Sequence, residues 1–141
     1  HCINATTAKD MEDAVMAKRP CDAFIMNAAV SDFTTQPQAT KQHRGEPITL
    51  SLQPTRDILK AFNAKKPAAC KSIGFCLSDD EDIVATAQRK RRDKGCDVMI
   101  ANGPESFGNN YRTIHIVEAN NTVTFRHIPI ESAAVEILTI I

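Results

Sequence analysis

Residues 70–101 read CKSIGFCLSDDEDIVATAQRKRRDKGCDVMIA. The first eight form an apolar run around Ile73 and Phe75, of a length that suits a strand. A helix is expected from about Asp79 to Lys94. Its first turn holds Asp79, Asp80, Glu81 and Asp82, and its last turns hold Arg89, Lys90, Arg91, Arg92 and Lys94, a polarity that complements the helix macrodipole. Gly95 is a natural stop, because a helix commonly ends on a left-handed residue. Residues 97–101 (DVMIA) then read as a second buried strand. Strand, crossing helix and strand make a parallel pair, so this stretch argues for an α/β protein.

The flanks continue the alternation. Residues 2–5 read as a short strand, and Thr6 or Thr7 can cap a helix over residues 8–18 with Ala8, Met11, Ala14 and Val15 on one face. Residues 21–26 (CDAFIM) read as a buried strand, and residues 27–45 as a long irregular stretch. Residues 48–52 alternate apolar and polar, as a half-exposed strand does, and Pro54 stops them. Thr55 is expected to cap a short helix through Ile58, Leu59 and Phe62. Residues 113–118 and 122–127 flank Asn120-Asn121 and predict a β-hairpin, since Asn tolerates the positive φ of a tight turn. A final helix is expected over residues 132–141. The expected architecture is α/β: a Rossmann-like three-layer fold with a mostly parallel sheet and a C-terminal β-hairpin, in a single domain over residues 1–141.

Composition narrows the function classes. The 141 residues carry 17 Lys+Arg against 17 Asp+Glu, and this zero net charge argues against bulk binding to nucleic acid or an anionic membrane. No apolar run approaches the roughly 18 residues of a membrane span, and residues 1–4 do not resemble a signal peptide. The five cysteines are odd in number and show no CxxC spacing, which points to free thiols and a cytoplasmic protein. His1, His43, His115 and His127 lack metal-ligand spacing. There is no GxGxxG and no Walker A motif.

In sheets of this kind ligands bind beyond the C-terminal ends of the strands. Three loops there are distinctive: residues 27–33, 76–79 and 101–106. If their strands are parallel, all three lie on one edge and share a cleft. Ala28 and Ala29 allow a ligand to approach the backbone, and Asp32 offers a carboxylate to a metal, a sugar hydroxyl or an amine; equally it suits a helix cap. Lys41 and Arg44 are cations of this long loop and are suited either to clamping phosphate or carboxylate, or to a solvated loop tip. Lys90 and Lys94 share a helix face. Their helix ends at the edge opposite the expected site, so reaching it would take a long side chain or a bent path.

At these residues the chain resembles phosphopantothenate–cysteine ligase, in bacteria usually the second half of a bifunctional coenzyme A biosynthesis flavoprotein. The family's TAxEM is matched by Thr7-Ala8-Lys9-Asp10-Met11, and its AAVADY by Ala28-Ala29-Val30-Ser31-Asp32-Phe33. Its KIKK is approached by Lys41-Gln42-His43-Arg44, which keeps the first and last cations. Its PTPDIL is matched by Pro54-Thr55-Arg56-Asp57-Ile58-Leu59, and its KxxKxxDxIVAN is approached by Lys90, Lys94, Asp97, Ile100, Ala101 and Asn102. Its GFAAET stands here as Gly74-Phe75-Cys76-Leu77-Ser78-Asp79, with both alanines enlarged. The family's opening Gly-rich unit has no counterpart from His1 onward, so the chain resembles the C-terminal part of the ligase domain.

The resemblance implies a reaction in which the carboxylate of 4′-phosphopantothenate attacks the α-phosphate of CTP or ATP with Mg²⁺ and expels pyrophosphate. The amine of L-cysteine then displaces the nucleotide. It implies catalytic roles for Lys41 and Asp32, with Asp32 also holding the metal, and a nucleotide site made of Ala28, Ala29, Asp32, Phe33, Phe75, Lys90, Lys94 and Asn102. It further implies FMN only where a decarboxylase domain is fused upstream, a homodimer as the working unit, and no activity for residues 1–141 alone. The contrasting expectation is a truncated or degenerate relative that binds a nucleotide or a partner without catalysis.

Overall fold

The structure is a computed structural model that describes residues 1–18, 20–35, 45 and 48–141. Its elements are α1 (Ala8–Ala17), β1 (Ala23–Met26), β2 (Phe33–Thr35), β3 (Leu52–Pro54), α2 (Ile58–Asn63), β4 (Lys71–Leu77), α3 (Ile83–Lys94), β5 (Val98–Asn102), β6 (Tyr111–Val117), β7 (Thr122–Pro129) and α4 (Ile130–Leu138). A 3-10 turn, Pro104–Ser106, follows β5. No helix among the described residues is long and apolar enough to cross a membrane.

Five strands form one sheet in the order β1-β4-β5-β6-β7. The β1–β4 and β4–β5 pairs are parallel, and the β5–β6 and β6–β7 pairs antiparallel, so only β6 runs against the rest. Alternate residues of each strand face opposite ways, and both faces are covered. On one side Met99, Ala101, Cys76 and Val117 pack with Leu59 of α2 and Ala87 of α3. On the other, Ile73, Val98, Ile100, Ile114 and Ile116 pack with Ala133 of α4, and Ile137 closes over them. This is the expected α/β three-layer, Rossmann-like arrangement. Gly74 matters to its first layer: a Cβ there would lie 2.7 Å from Leu59 Cδ2, so its absence lets α2 approach β4.

Helix starts follow local chemistry. Thr7 and Asp10 make a reciprocal capping box at α1, as the sequence suggests, and Thr6 and Thr7 hold the Asp10 carboxyl below its usual pKa. Gly95 ends α3 in the left-handed region, φ 65°.

Six expectations are corrected. Residues 2–5 form no strand, and β1 is the sheet edge. With β4 its one neighbour among the described residues, β1 is half-buried rather than buried. The strand expected at 48–52 begins only at Leu52. Its partner is β2, a strand inside the stretch read as irregular. Thr55 does not cap α2: its N–H donates to the Asp32 carbonyl and its hydroxyl to the Ser31 carbonyl, so the cap falls to Asp57. The acidic run does not fill the first turn of α3, because Asp82 is the cap and Asp80 accepts hydrogen bonds from Ser78 and Thr86 ahead of the helix.

Candidate functional site

The C-terminal ends of β1, β4 and β5 lie side by side because the strands are parallel and in register, with Met26 opposite Gly74 and Leu77 opposite Asn102. The Ser78 N–H donates to the Asn102 carbonyl at 3.2 Å and ties two of the following loops together. Two cavities open at this edge. The larger, about 600 Å³, is lined by Asn27, Ala28 and Ala29 after β1, by Phe75 and Leu77 of β4, by Asn102 of β5, and by one face of α4. Each of the three stretches singled out in the sequence therefore gives residues to one cleft, 27–29 from the first, Leu77 from the second and Asn102 from the third.

The smaller cavity, about 170 Å³, lies on the α2 side of the sheet and is lined by Met26, Ala28, Asp32, Arg56, Asp57, Phe75 and Lys94, among others. Ala28 and Phe75 border both cavities, so the two are neighbours across the β1–β4 end. The smaller one holds most of the charged side chains at this edge, Asp32, Arg56, Asp57 and Lys94, beside an apolar wall. Arg56 Nη1 lies 2.6 Å from Glu12 Oε1, which binds the loop before α2 to α1. Asp57 caps α2 with one carboxylate oxygen, accepting from Lys60 N–H at 2.9 Å, and accepts from Lys94 Nζ at 2.8 Å with the other. Burial pushes the Asp57 carboxyl up, but these donors and the Lys94 and Lys60 charges outweigh it and leave its pKa below the ordinary range.

Lys94 solves its problem of reach by lying along α2. Its carbonyl accepts from Asn63 Nδ2 at one end of that helix, while its ammonium meets Asp57 at the other. It thus offers a ligand a neutralised pair rather than a free cation. Asp32 is exposed, and its carboxylate has no partner among the described residues. Phe33 sits in β2, 56% exposed, and lines neither cavity; Lys90 lines neither as well. Lys41 lies outside the described residues.

Sequence reasoning missed three features of the site. Asp57 was passed over because its partner is far away in sequence. The wall formed by Ile130, Ala133, Ala134, Ile137 and Leu138 was read only as a final helix. Arg112 of β6 also lines the larger cavity, and its signal was a single charge at the start of an apolar strand. Among the described residues, no three His, Cys, Asp or Glu side chains gather as a metal cluster.

Similar proteins agree with this fold. A protein named cysteine/cysteine sulfinic acid decarboxylase, from an unknown prokaryotic organism, is 31% identical over 129 residues, which is 86% of this chain and 35% of that one. The coenzyme A biosynthesis bifunctional protein CoaBC of Thermococcus kodakarensis is 26% identical over 122 residues, 82% of this chain and 30% of that one. The chain thus spans about a third of the length of these curated relatives. Among solved structures, the C-terminal domain of a CoaBC superposes with a TM-score of 0.76 at 23% identity, covering 97% of this chain and 62% of that one. A Cab2 mutant in complex with phosphopantothenate-cysteine gives 0.63 at 20% identity, covering 83% and 42%. The family model described as the DNA/pantothenate metabolism flavoprotein C-terminal domain matches residues 1–141 in full, and the chain belongs to that family.

Proposed function

We propose that this chain forms part of a phosphopantothenate–cysteine ligase of coenzyme A biosynthesis, driven by CTP or ATP. The observation that carries this reading is the convergence of Ala28, Ala29, Phe75 and Asn102 on one cleft at the C-terminal strand ends, in a chain of this family. Support for the substrate class comes from the Cab2 relative, whose structure holds phosphopantothenate-cysteine.

The residues divide the work. Ala28 and Ala29 leave backbone open to a ligand, Phe75 offers a ring face to a base, and the Asn102 side chain supplies hydrogen bonds at the end of β5. The substrate carboxylate attacks the α-phosphorus and forms a C–O–P linkage, while the bond to pyrophosphate breaks. The cysteine amine then attacks the acyl carbon, a C–N bond forms, and the nucleoside monophosphate leaves with the oxygen. Placing carboxylate and phosphate in contact supplies much of the rate, and cations facing the departing pyrophosphate supply more. Lys41 is the proposed cation for that step; Lys90 and Lys94 are proposed for the triphosphate, Lys94 in exchange with Asp57. Phe33 is proposed to reach the nucleotide as β2 adjusts.

Asp32 fits a Mg²⁺ ion, because its carboxylate is unpartnered and this ion is usually held by one or two carboxylates plus substrate phosphates. The ion would supply charge neutralisation on the phosphates. A homodimer is part of the proposal: the β2–β3 ribbon exposes Phe33 and Leu52, and two strands alone are marginal in water.

The test is pyrophosphate release from CTP and ATP by the intact protein with 4′-phosphopantothenate, L-cysteine and Mg²⁺. Release dependent on 4′-phosphopantothenate is expected, with none from residues 1–141 alone. Nucleotide binding without turnover in the intact protein would favour a binding module instead.

A further inference from the structure

Among the described residues, Arg112 is the one charged side chain lining the larger cavity, whose walls come mostly from apolar side chains such as Ile25, Phe75, Ile114 and those of α4. Among the described residues no carboxylate pairs with it, and its Nε is buried without a hydrogen-bond partner. Arg112 is half-buried, and a guanidinium whose Nε is drawn out of water and left unpaired is costly; a bound anion is a partner that removes the cost.

The backbone around it is specialised. Between the pairs Arg112↔Ile128 and Ile114↔Phe125, β7 carries one residue more than β6, so the ladder bulges directly beside Arg112. His127, within the bulge, takes φ 49°, and its ring stacks on Tyr111 with centroids 4.7 Å apart. Bulges re-aim neighbouring side chains and are common next to binding sites. Asn27 and Asn102 supply the remaining polar side chains of the cavity.

We propose that Arg112 is the anion anchor of this cleft and holds the phosphate of a ligand whose neutral body lies along Phe75, Ile114 and Ala133. The inference rests on the ligase reading for its choice of anion. In that reaction the substrate carboxylate must stay free to attack, whereas a phosphate can be held throughout. A guanidinium fork matches phosphate oxygens two at a time, which an ammonium cannot do. Two phosphates share this chemistry, that of 4′-phosphopantothenate and that of the nucleotide.

Titration calorimetry on the intact protein separates them, using 4′-phosphopantothenate, pantothenate, CTP and ATP against wild type, Arg112→Gln and Arg112→Lys. Arg112→Gln is expected to weaken one class of phosphate ligand by about ten- to a hundredfold. Arg112→Lys should restore part of that loss, and pantothenate should bind wild type and Arg112→Gln alike. The responding ligand identifies the phosphate. Should Arg112→Gln fail to melt cooperatively, Arg112→Lys carries the comparison, with the phosphate ligand several-fold weaker and pantothenate unchanged. Equal affinities of wild type and Arg112→Gln for every phosphate ligand, or no binding of any to wild type, would overturn the anchor. Pyrophosphate release alongside Arg112-independent binding counts against the anchor alone. Arg112-dependent binding without release counts against the ligase reading alone.

Discussion

Asp57 is held by donors from two helices, the Lys60 N–H of its own α2 and the Lys94 ammonium of α3. Both side chains of the Asp57–Lys94 pair are about one-third exposed, 35% and 31%, so solvent screens it and its worth is at most about 1 kcal/mol. Lys94→Met removes one of the donors that hold the Asp57 carboxyl down, so its pKa should rise toward the ordinary carboxylate range. Carboxyl carbon chemical shifts followed through an acid titration would show this, and an unmoved Asp57 would mean that the Lys60 cap alone sets it. The sequence placed Lys94 among the site candidates by motif, and the structure puts it in the smaller cavity. Its partner was not legible, because the pair spans 37 residues and exists only once α2 lies against α3.

Packing between elements turns on a small number of close approaches, and Gly74 makes one of these where α2 and β5 meet β4. A methyl group there would meet Leu59 Cδ2 at 2.7 Å and Met99 Cε at 3.2 Å, and both neighbours are buried. Gly74→Ala should therefore cost about 1–3 kcal/mol in chemical denaturation, the usual range for overpacking. In the double variant Gly74→Ala/Leu59→Ala the two losses should fall short of their sum, since the shortened Leu59 makes room. Strict additivity would place the strain elsewhere. At this scale the sequence read well wherever a single periodicity covered an element: α1, β4, β5, the β6–β7 hairpin and α4 lie where apolar spacing put them, within a few residues. It read poorly where tertiary hydrogen bonds choose the boundary. Thr55 looks like a cap until Ser31 and Asp32 claim it, and residues 33–35 look like loop until residues 52–54 pair with them. The cleft was legible as three loops on one edge because parallel strands force that placement. Its α4 wall and Arg112 come from the antiparallel half of the sheet, beyond the reach of the strand-end rule.

For the molecule as a whole, the groups that set stability below pH 8 titrate in two separate windows. Asp57 and Asp97 have depressed carboxyl pKa values. At Asp97 burial works against this but is outweighed by the Ser72 N–H and hydroxyl and by Lys66, whose Nζ lies 2.9 Å away. A carboxyl depressed in the folded state contributes stability that is whole above its unfolded value of 3.8 and is lost as pH falls through the folded value. His115 is shifted by burial and by Arg126, against the pull of Glu105, to below its unfolded value of 6.5. An imidazole so shifted prefers to stay neutral in the folded chain. Its contribution is therefore whole above about 6.5 and declines as pH falls from there to its own lower value. Thermal melts taken from pH 8 to pH 2 should show a shallow loss starting near pH 6.5 and a steeper one below pH 4. His115→Gln should abolish the first and leave the second, while Asp97→Asn should leave the first, lower stability at neutral pH and flatten the acid limb in part, since Asp57 still titrates there. A shallow loss that survives in His115→Gln would mean that another group sets the upper window.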